Sequence, residues 1–268
     1  MKRIMWKTGA AILVSLSLAL AFPACKKKDV EVAPEIASSD EALFKLGEAE
    51  IKKDMEKALL YLRQVIDSFP KSFYAQRAKL LIADAYFKKG DEGNMILAAA
   101  EYREFINLYP YSPSAAYCQY QIGMTFFTKT LKAGRDQSKT IQALAEFKKV
   151  VTAYPLSEQA KSAQEKIKIC EERLADHALT ISAHYYRVEA YKASTSRLTE
   201  LITYYPGFTK MDAVFFYLGD SYFKWNKVDQ SVPYFTKLVT DYPKSGFVKQ
   251  AQKRLMEIEA ADKAKKQK

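Results

Sequence analysis

One ten-residue phrase recurs five times along the chain, and its repetition constrains the fold more than any other feature. Each copy ends in an aromatic residue followed by proline, at Pro70, Pro110, Pro155, Pro206 and Pro243. Apolar residues stand four and five positions before each proline, and a large residue stands eight positions before it. This spacing predicts one apolar face of a helix, which ends there because proline disfavours helical geometry in the preceding residue. The chain therefore predicts five copies of one helical unit.

A second helical pattern precedes each phrase and has a small residue near its centre. These small residues are Gly47, Ala83, Gly123, Ser182 and Gly219. Another set of small residues stands twelve positions before each proline, at Ala58, Ala98, Ala143, Ser194 and Ser231. Small side chains in both patterns allow two helices to cross closely, so each unit is expected to be a helical hairpin.

The hairpin pattern resembles the tetratricopeptide repeat, a helix–turn–helix unit of about 34 residues. In the fifth unit the matching residues are Phe215, Leu218, Gly219, Tyr222, Ser231, Phe235 and Pro243. The resemblance implies an all-α fold: a right-handed superhelix of about five tetratricopeptide-like helical hairpins plus a C-terminal helix. Such a stack has a concave groove that accepts a peptide or a helix. We expect Tyr74, Tyr86, Tyr117 and Tyr120 either to line this groove or to fill the core between helices.

The spacing of the prolines departs from a plain repeat. Successive separations are 40, 45, 51 and 37 residues, whereas an uninterrupted repeat gives about 34. We expect a widened turn at residues 90–94, an insertion near residues 131–138 and one long helix from about Glu158 to about Ala190. Ser245 is expected to cap the final helix, because serine side chains accept hydrogen bonds from the first free backbone amides of a helix.

The first residues have the composition of a targeting segment. A short basic region at residues 1–7 precedes an apolar stretch at residues 8–22. That stretch is long enough for a signal peptide and short for a membrane span. We therefore expect residues 1–24 to be a signal peptide.

The end of the apolar stretch carries a candidate modification site. Ala24-Cys25, a small residue followed by cysteine, resembles the lipobox of bacterial lipoproteins. The resemblance implies that Cys25 is lipidated and that residues 25–39 tether the chain to a membrane; the alternative is an ordinary signal peptide with an incidental cysteine. Lys26 at the second mature position implies an outer-membrane destination on the periplasmic side of a Gram-negative envelope.

The basic charge of the chain lies at its two ends. The formal net charge is +11, but residues 1–28 contain six basic residues and residues 263–268 contain four. The remainder has 32 basic and 31 acidic residues. A nucleic-acid partner is disfavoured, because such binders carry their basic excess on the folded domain. We expect a repeat domain at residues 40–262 and a basic tail at residues 263–268.

The sequence offers little material for catalysis, a cofactor or a metal site. His177 and His184 lie seven residues apart without neighbouring metal ligands, so they are expected to be helix histidines. No nucleotide-binding, zinc-protease or serine-hydrolase motif occurs, and we expect no catalytic residue, no cofactor and no metal. Cys118 and Cys170 lie in helical phrases and either pair as a disulfide or remain two separate buried thiols.

The central stretch resembles the BamD family, lipoproteins of the outer-membrane β-barrel assembly machinery. The matching residues run from Gly134-Arg135-Asp136-Gln137 through the third proline phrase and the long helix to SRLTELITYYPG. One departure is Pro70-Lys71-Ser72, where family members often have Pro-Phe-Gly. The resemblance implies a non-catalytic scaffold with three partners: the POTRA domain of the central assembly protein, unfolded outer-membrane protein substrates, and the membrane through the lipid. It also implies that Arg197 contacts the POTRA-bearing partner.

Two other function classes fit parts of the sequence. A periplasmic helical-repeat adaptor of the Tol-Pal-associated type shares the aromatic-proline endings, but such adaptors usually carry a coiled-coil segment and lack a lipobox. An enzyme built on a helical superstructure, such as a lytic transglycosylase, needs a separate catalytic domain. The repeats occupy nearly all of the expected mature chain, so the scaffold is favoured over both alternatives.

Overall fold

The computed structural model describes residues 39–266, which form eleven α-helices and no strand. The helices are α1 (Asp40–Glu50), α2 (Met55–Ser68), α3 (Phe73–Lys89), α4 (Glu92–Leu108), α5 (Ala115–Phe127), α6 (Ser138–Ala153), α7 (Glu158–Arg187), α8 (Tyr191–Tyr204), α9 (Met211–Lys224), α10 (Val228–Asp241) and α11 (Val248–Lys266). Helices α1 to α10 pair in order as five hairpins, here called repeats 1 to 5, and α11 packs on α10. The expected all-α stack of five hairpins with a final helix is confirmed.

The aromatic-proline phrase ends the second helix of every repeat in the same way. The five aromatic residues that precede the prolines have φ between −132° and −128° and ψ between 53° and 60°. Each donates its backbone N–H to the carbonyl four residues earlier. These residues leave the helical region because proline excludes it from its predecessor, and the chain then turns into the next repeat.

The small residues of the first helices allow the close crossing that the sequence predicts. A Cβ atom added to Gly123 would lie 2.6 Å from the ring of Phe147, and one added to Gly219 would lie 2.8 Å from that of Phe235. Both distances are shorter than normal contacts between carbon atoms. Glycine is therefore required where each of these two hairpins packs most tightly.

The core runs along the stack as three clusters of buried side chains. Its most regular members are the large residues eight positions before each proline, which are all 0% exposed: Leu62, Tyr102, Phe147, Leu198 and Phe235. Leu62, Phe147 and Phe235 lie directly against the glycine of the partner helix. The repeat phrase thus specifies the packing between the two helices of a unit.

The structure differs from the plain repeat in one turn, one loop and one long helix. The widened turn expected at residues 90–94 is wrong: α3 ends at Lys89, Gly90 takes a left-handed conformation with φ of 76°, and α4 begins at Glu92. The extra residues lengthen α3 and α4 to 17 residues each. The insertion is confirmed as a loop between Phe127 and Ser138, and the long helix is confirmed as α7, with 30 residues.

The C-terminal end of the stack differs in detail from the expectation. Ser245 lies three residues before α11; its hydroxyl accepts from the N–H of Phe247 at 3.2 Å and donates to Asp212 at 2.6 Å. Ser245 therefore shapes the entry into α11 and connects it to α9. Residues 261–264 are helical and fully on the surface, so the expected basic tail begins within the last turns of α11.

Candidate functional site

Arg197 lies on the solvent-facing side of α8, where a partner can reach it. Its guanidinium carbon is 5.5 Å from the centroid of the Tyr185 ring on α7. This cation–π contact orients the side chain without neutralising it. Within residues 39–266 no carboxylate lies close enough to Arg197 for an ion pair. The charge is therefore free to pair with an acidic group of another protein.

A shallow depression of about 530 Å³ lies next to Arg197, at the start of α8. Its lining includes Ser196, Tyr191 and the half-buried Trp225 at the end of α9. Trp225 stacks on Tyr222 with a centroid distance of 6.3 Å, and the Lys227 ammonium lies 3.7 Å from the indole centroid. Arginine, tryptophan and tyrosine are the residues that carry most binding energy at protein interfaces. We call Arg197, this depression and Trp225 the C-terminal surface.

A buried carboxylate fixes the elements beneath the C-terminal surface. Asp220 on α9 is 2% exposed and accepts from Tyr186 at 2.6 Å and from Arg254 Nε at 2.7 Å. Lys224 lies 3.4 Å from the same carboxylate. These contacts join α7, α9 and α11, which belong to three successive units of the stack. The C-terminal surface is thus presented by elements that are connected through one charge network.

The four tyrosines expected either in the groove or in the core between helices lie mostly between helices. Tyr86 is 8% exposed and belongs to the core, so it is not a groove residue. Tyr120 packs on Phe147 with centroids 5.5 Å apart, and Tyr74 packs on Phe44 at 5.4 Å. Tyr117 is half-buried, with its hydroxyl directed at a carboxylate of α3. Packing between the helices therefore accounts for all four rings.

The carboxylate that Tyr117 contacts is Asp84, which sequence reasoning did not single out. Its Oδ1 accepts from the hydroxyls of Tyr102 at 2.5 Å and Tyr117 at 2.9 Å. Burial raises the pKa of Asp84 above its ordinary value, against the opposing effect of the two hydrogen bonds. Burial and the nearby carboxylate raise the pKa of Tyr117 to about 12, so this tyrosine remains a hydrogen-bond donor at neutral pH.

Asp84 lines a depression of about 570 Å³ between α1, α2 and α3. Apolar side chains form part of its wall, and the three lysines of its rim are exposed: Lys52, Lys88 and Lys89. Ala85 stands next to Asp84 in the same lining. We call this feature the N-terminal depression. It can accept an extended chain, since it combines apolar walls with polar groups that hold a backbone.

The remaining residues with reactive chemistry serve the fold. Cys118 and Cys170 are both free and buried, so the interpretation as two separate thiols is confirmed. Burial raises the pKa of Cys118 to about 12 and that of Cys170 to about 11; both are therefore poor nucleophiles. His177 donates from Nδ1 to the Ala133 carbonyl at 2.5 Å, and His184 is exposed. Among the described residues no cluster of His, Cys, Asp and Glu could hold a metal ion.

Cys25, with the expected signal peptide and most of the tether, lies outside the described residues. Within residues 39–266 none of the helices has the length and the hydropathy to cross a membrane.

Comparison with known proteins places this architecture among envelope proteins. The family described as YfiO, outer membrane lipoprotein, matches residues 36–226, and a tetratricopeptide repeat family matches residues 213–245. An outer membrane protein assembly factor BamD of Rickettsia prowazekii (strain Madrid E) is 26% identical over 244 residues, covering 89% of this chain and 92% of that protein. The protein of the same name from Pasteurella multocida (strain Pm70) is 27% identical over 200 residues, covering 70% and 74%.

A solved structure of the MamA protein covers 76% of this chain and 92% of its own, with a TM-score of 0.32 and 16% sequence identity. These values are too low to add to the fold assignment, which depends on the repeats themselves.

Proposed function

The chain belongs to the YfiO family of outer membrane lipoproteins, and we propose on this premise that it is a non-catalytic scaffold of outer-membrane β-barrel assembly. It binds the POTRA domain of the central assembly protein and receives unfolded outer-membrane protein substrates. The observation that carries the proposal is the family match. It extends over residues 36–226 and thus over the first helix of every repeat, including the long α7 of repeat 4. Relatives named as outer membrane protein assembly factors support it.

The proposed location is the periplasmic side of the outer membrane, with Cys25 as the acylated residue. Several acyl chains on one cysteine give stable anchoring, whereas a single chain is marginal. Residues 1–24 are removed in this proposal, and residues 25–39 connect the anchor to α1. Replacing Cys25 by serine should remove the protein from outer-membrane fractions, as measured by fractionation and immunoblotting; unchanged fractionation would contradict the proposal.

The proposed POTRA contact is the C-terminal surface. Arg197 forms no ion pair there within the described residues, and Trp225 supplies an aromatic anchor in the depression that Ser196, the residue before Arg197, also lines. An arginine whose ion pair becomes desolvated in a complex contributes strongly to affinity. Reversal of its charge is therefore expected to weaken the complex at least tenfold, a change of about 1.4 kcal/mol.

The test is affinity purification of the tagged chain from detergent-solubilised membranes. The wild-type chain should recover a POTRA-bearing barrel protein, and Arg197→Glu should recover much less. Lys161→Glu is the matched control, because Lys161 is also exposed on a helix and its reversal changes the net charge equally. Failure of the wild-type chain to recover such a partner would refute the proposal, and equal recovery by Arg197→Glu would remove Arg197 from the interface.

The proposed substrate contact is the N-terminal depression. Its apolar walls and exposed lysines suit an unfolded chain, which presents apolar side chains and free backbone groups. Ala85→Arg should fill the depression and reduce the binding of a urea-denatured outer-membrane protein after dilution, as measured by light scattering and co-sedimentation. Ala145→Arg on the exposed side of α6 is the control. Equal substrate binding by the two variants would exclude the depression.

A further inference from the structure

One cleft in the middle of the stack lies away from both proposed sites. It has a volume of about 1020 Å³ and lies between the middle of α7, the loop at residues 128–137 and the turn at residues 204–210. The loop and the length of α7 are two departures from the plain repeat, and they meet here. A plain helical-hairpin stack has neither of them. The first half of α7 contributes Ala163 and Cys170 to the core, and the middle of the same helix lines the cleft together with the loop.

The loop at residues 128–137 is held against α7 by side chains on one side of that helix. Arg173 donates to the hydroxyl of Thr130, and His177 Nδ1 donates to the Ala133 carbonyl at 2.5 Å. Arg173 also lies over the ring of Phe127, 5.9 Å from its centroid. These contacts fix the first wall of the cleft.

The turn at residues 204–210 is fixed to α7 in the same way. Glu172 accepts from the backbone N–H of Thr209 at 3.2 Å and from its hydroxyl. Asp176 pairs with Lys210 at 2.6 Å. Both walls are thus connected to consecutive turns of one helix, and the cleft is formed before any ligand arrives. A preformed site avoids the cost of ordering itself on binding.

The surface inside the cleft is largely apolar. Ile169 is 42% exposed and Tyr204 is 72% exposed, both among the large apolar side chains that face solvent. Phe208 is buried beneath them, and Pro206 completes this part of the lining. Large apolar groups in an open cleft favour an occupant that covers them.

The charges around the cleft leave a positive excess. Of the acidic groups in the lining, Asp176 pairs with Lys210, and Glu171 pairs with Lys148 at 3.0 Å. Four charged side chains remain that form no ion pair within residues 39–266: Lys132, Lys168, Arg173 and Glu172. Three cations against one anion give a net charge of +2 next to the apolar surface. An occupant with complementary charge is acidic.

We propose that this cleft is a docking site for an extended segment of a partner protein, in which acidic side chains stand next to apolar ones. The apolar side chains cover Ile169 and Tyr204, and the carboxylates meet Lys132 and Lys168. The site is separate from the C-terminal surface, because Arg197 and Tyr204 lie seven residues apart on α8, which is about 10 Å along the helix. It depends neither on the POTRA contact nor on the substrate contact.

The first test measures binding of a fluorescein-labelled peptide, Asp-Phe-Asp-Leu-Glu-Phe-Asp, to the full chain by fluorescence anisotropy. Saturable binding by the wild-type chain is expected, with at least tenfold weaker binding by Lys132→Glu/Lys168→Glu. That variant should prefer the peptide in which lysine replaces each acidic residue. Lys244→Glu/Lys249→Glu changes the charge equally on other exposed lysines and should bind as the wild type does. No saturable binding, or an equal loss in both double variants, would overturn the proposal.

The second test separates the apolar contact from charge alone. Ile169→Asn, which removes the apolar side chain without adding a charge, should abolish peptide binding, whereas Ile141→Asn, at an exposed isoleucine of α6 outside the cleft, should retain it. Circular dichroism melting of all variants checks that each one folds. Equal affinity of the Ile169 and Ile141 variants would overturn the proposal.

Sedimentation velocity of the unlabelled full chain tests a different occupant. The chain's own residues 29–36 alternate acidic and apolar side chains, so a second copy could supply the segment. A monomer at micromolar concentration supports a separate partner protein. Self-association that Lys132→Glu/Lys168→Glu abolishes would assign the cleft to a second copy and overturn the proposal.

Discussion

Repeats 2 and 5 place an aspartate at the same position and use it in opposite ways. Asp84 and Asp220 each stand fourteen residues after the proline that precedes their repeat. Asp220 is buried and is compensated by Lys224 on the same helix and by Arg254, which connects α9 with the final helix. Asp84 has two tyrosine hydroxyls as its side-chain donors, and it faces the N-terminal depression.

The difference between the two aspartates shows how a repeat specialises without changing its backbone. A carboxylate with cationic partners connects successive units and supports a surface on which a partner can dock. A carboxylate with only neutral donors retains the cost of a partly buried charge, and burial accordingly raises its pKa. The C-terminal units are therefore joined by charged contacts, while repeat 2 keeps a polar group at an open depression.

The largest expected effect is that of Asp220→Ala. Removal of the buried carboxylate leaves the Tyr186 hydroxyl without its acceptor and leaves Glu257 as the remaining partner of Arg254; breaking a buried ion pair in this way costs about 3 kcal/mol. Urea unfolding followed by circular dichroism should show this loss. Glu200→Ala on the exposed side of α8 is the control and should change the stability by less than about 0.5 kcal/mol. Equal stability of the two variants would show that the network does not hold the C-terminal repeats.

A smaller loss is expected for Asp84→Ala. The hydroxyls of Tyr102 and Tyr117 lose their common acceptor, which costs about 1–2 kcal/mol for buried donors. No cation is left unpaired in this case, so the loss should be smaller than that of Asp220→Ala in the same urea titration. A larger loss of stability in Asp84→Ala than in Asp220→Ala would contradict the comparison of the two repeats.

Asp84→Asn is expected to act in the opposite direction from Asp220→Asn. Both tyrosine hydroxyls donate to Oδ1, which the amide retains, while the buried charge disappears. Asp84→Asn should therefore raise the stability at pH 7 by up to about 1 kcal/mol. Asp220→Asn should lower it, because Lys224 loses its counter-charge and Arg254 retains only Glu257. Thermal unfolding of both variants measures the signs, and the same sign in both would contradict the account.

The pH dependence of Asp84→Asn follows from the raised pKa of Asp84. Because the pKa of Asp84 is raised in the folded protein, its carboxyl group binds a proton more tightly there than in the unfolded chain. The wild-type protein therefore has its full stability from this group below pH 3.8, the ordinary pKa of aspartate. It loses that stability as the pH rises through the pKa of the folded state. The advantage of Asp84→Asn should thus grow with pH across this window and then stay constant. If Asp84→Asn exceeded the wild type in stability most strongly at acidic pH, the raised pKa of Asp84 would be contradicted.

The smallest expected effect concerns the turns within repeats 4 and 5. Glu189 and Asn226 both have φ of 59°, whereas repeat 2 places Gly90 in the corresponding turn. A left-handed conformation costs a residue with a Cβ about 1 kcal/mol, except for asparagine, which tolerates it better. Glycine also adds conformational entropy to the unfolded chain, which offsets part of this gain. Glu189→Gly should therefore raise the free energy of unfolding by about 0.5 kcal/mol, and Asn226→Gly should raise it by less. An equal or larger gain for Asn226→Gly would contradict this reasoning.

The sequence predicts the stack well because its signals are local. The aromatic-proline ending lies within one hairpin. So does the contact between the small residue of the first helix and the large residue eight positions before the proline, as Gly123 and Phe147 show. The turn at Gly90 is less predictable, since glycine ends a helix equally well in a tight turn and in a wide one. The length of α3 and α4 decides between them, and that depends on packing against the neighbouring repeats.

The candidate sites are less predictable because their partners are distant in sequence. Asp84 and Tyr117 are 33 residues apart, and Asp220 lies 34 residues from both Tyr186 and Arg254. Only the stacking of units brings these groups together. The same stacking buries Tyr86 and leaves Arg197 exposed, although both lie in equally regular helical phrases.

The central claim is that the two ends of the stack bind different partners. Surface plasmon resonance on the immobilised full chain tests it most directly, with a purified POTRA domain and a urea-diluted outer-membrane protein as separate analytes. Arg197→Glu should weaken POTRA binding at least tenfold and leave substrate binding unchanged, and Ala85→Arg should do the reverse. Loss of both activities in either variant, or of neither in both, would contradict the account.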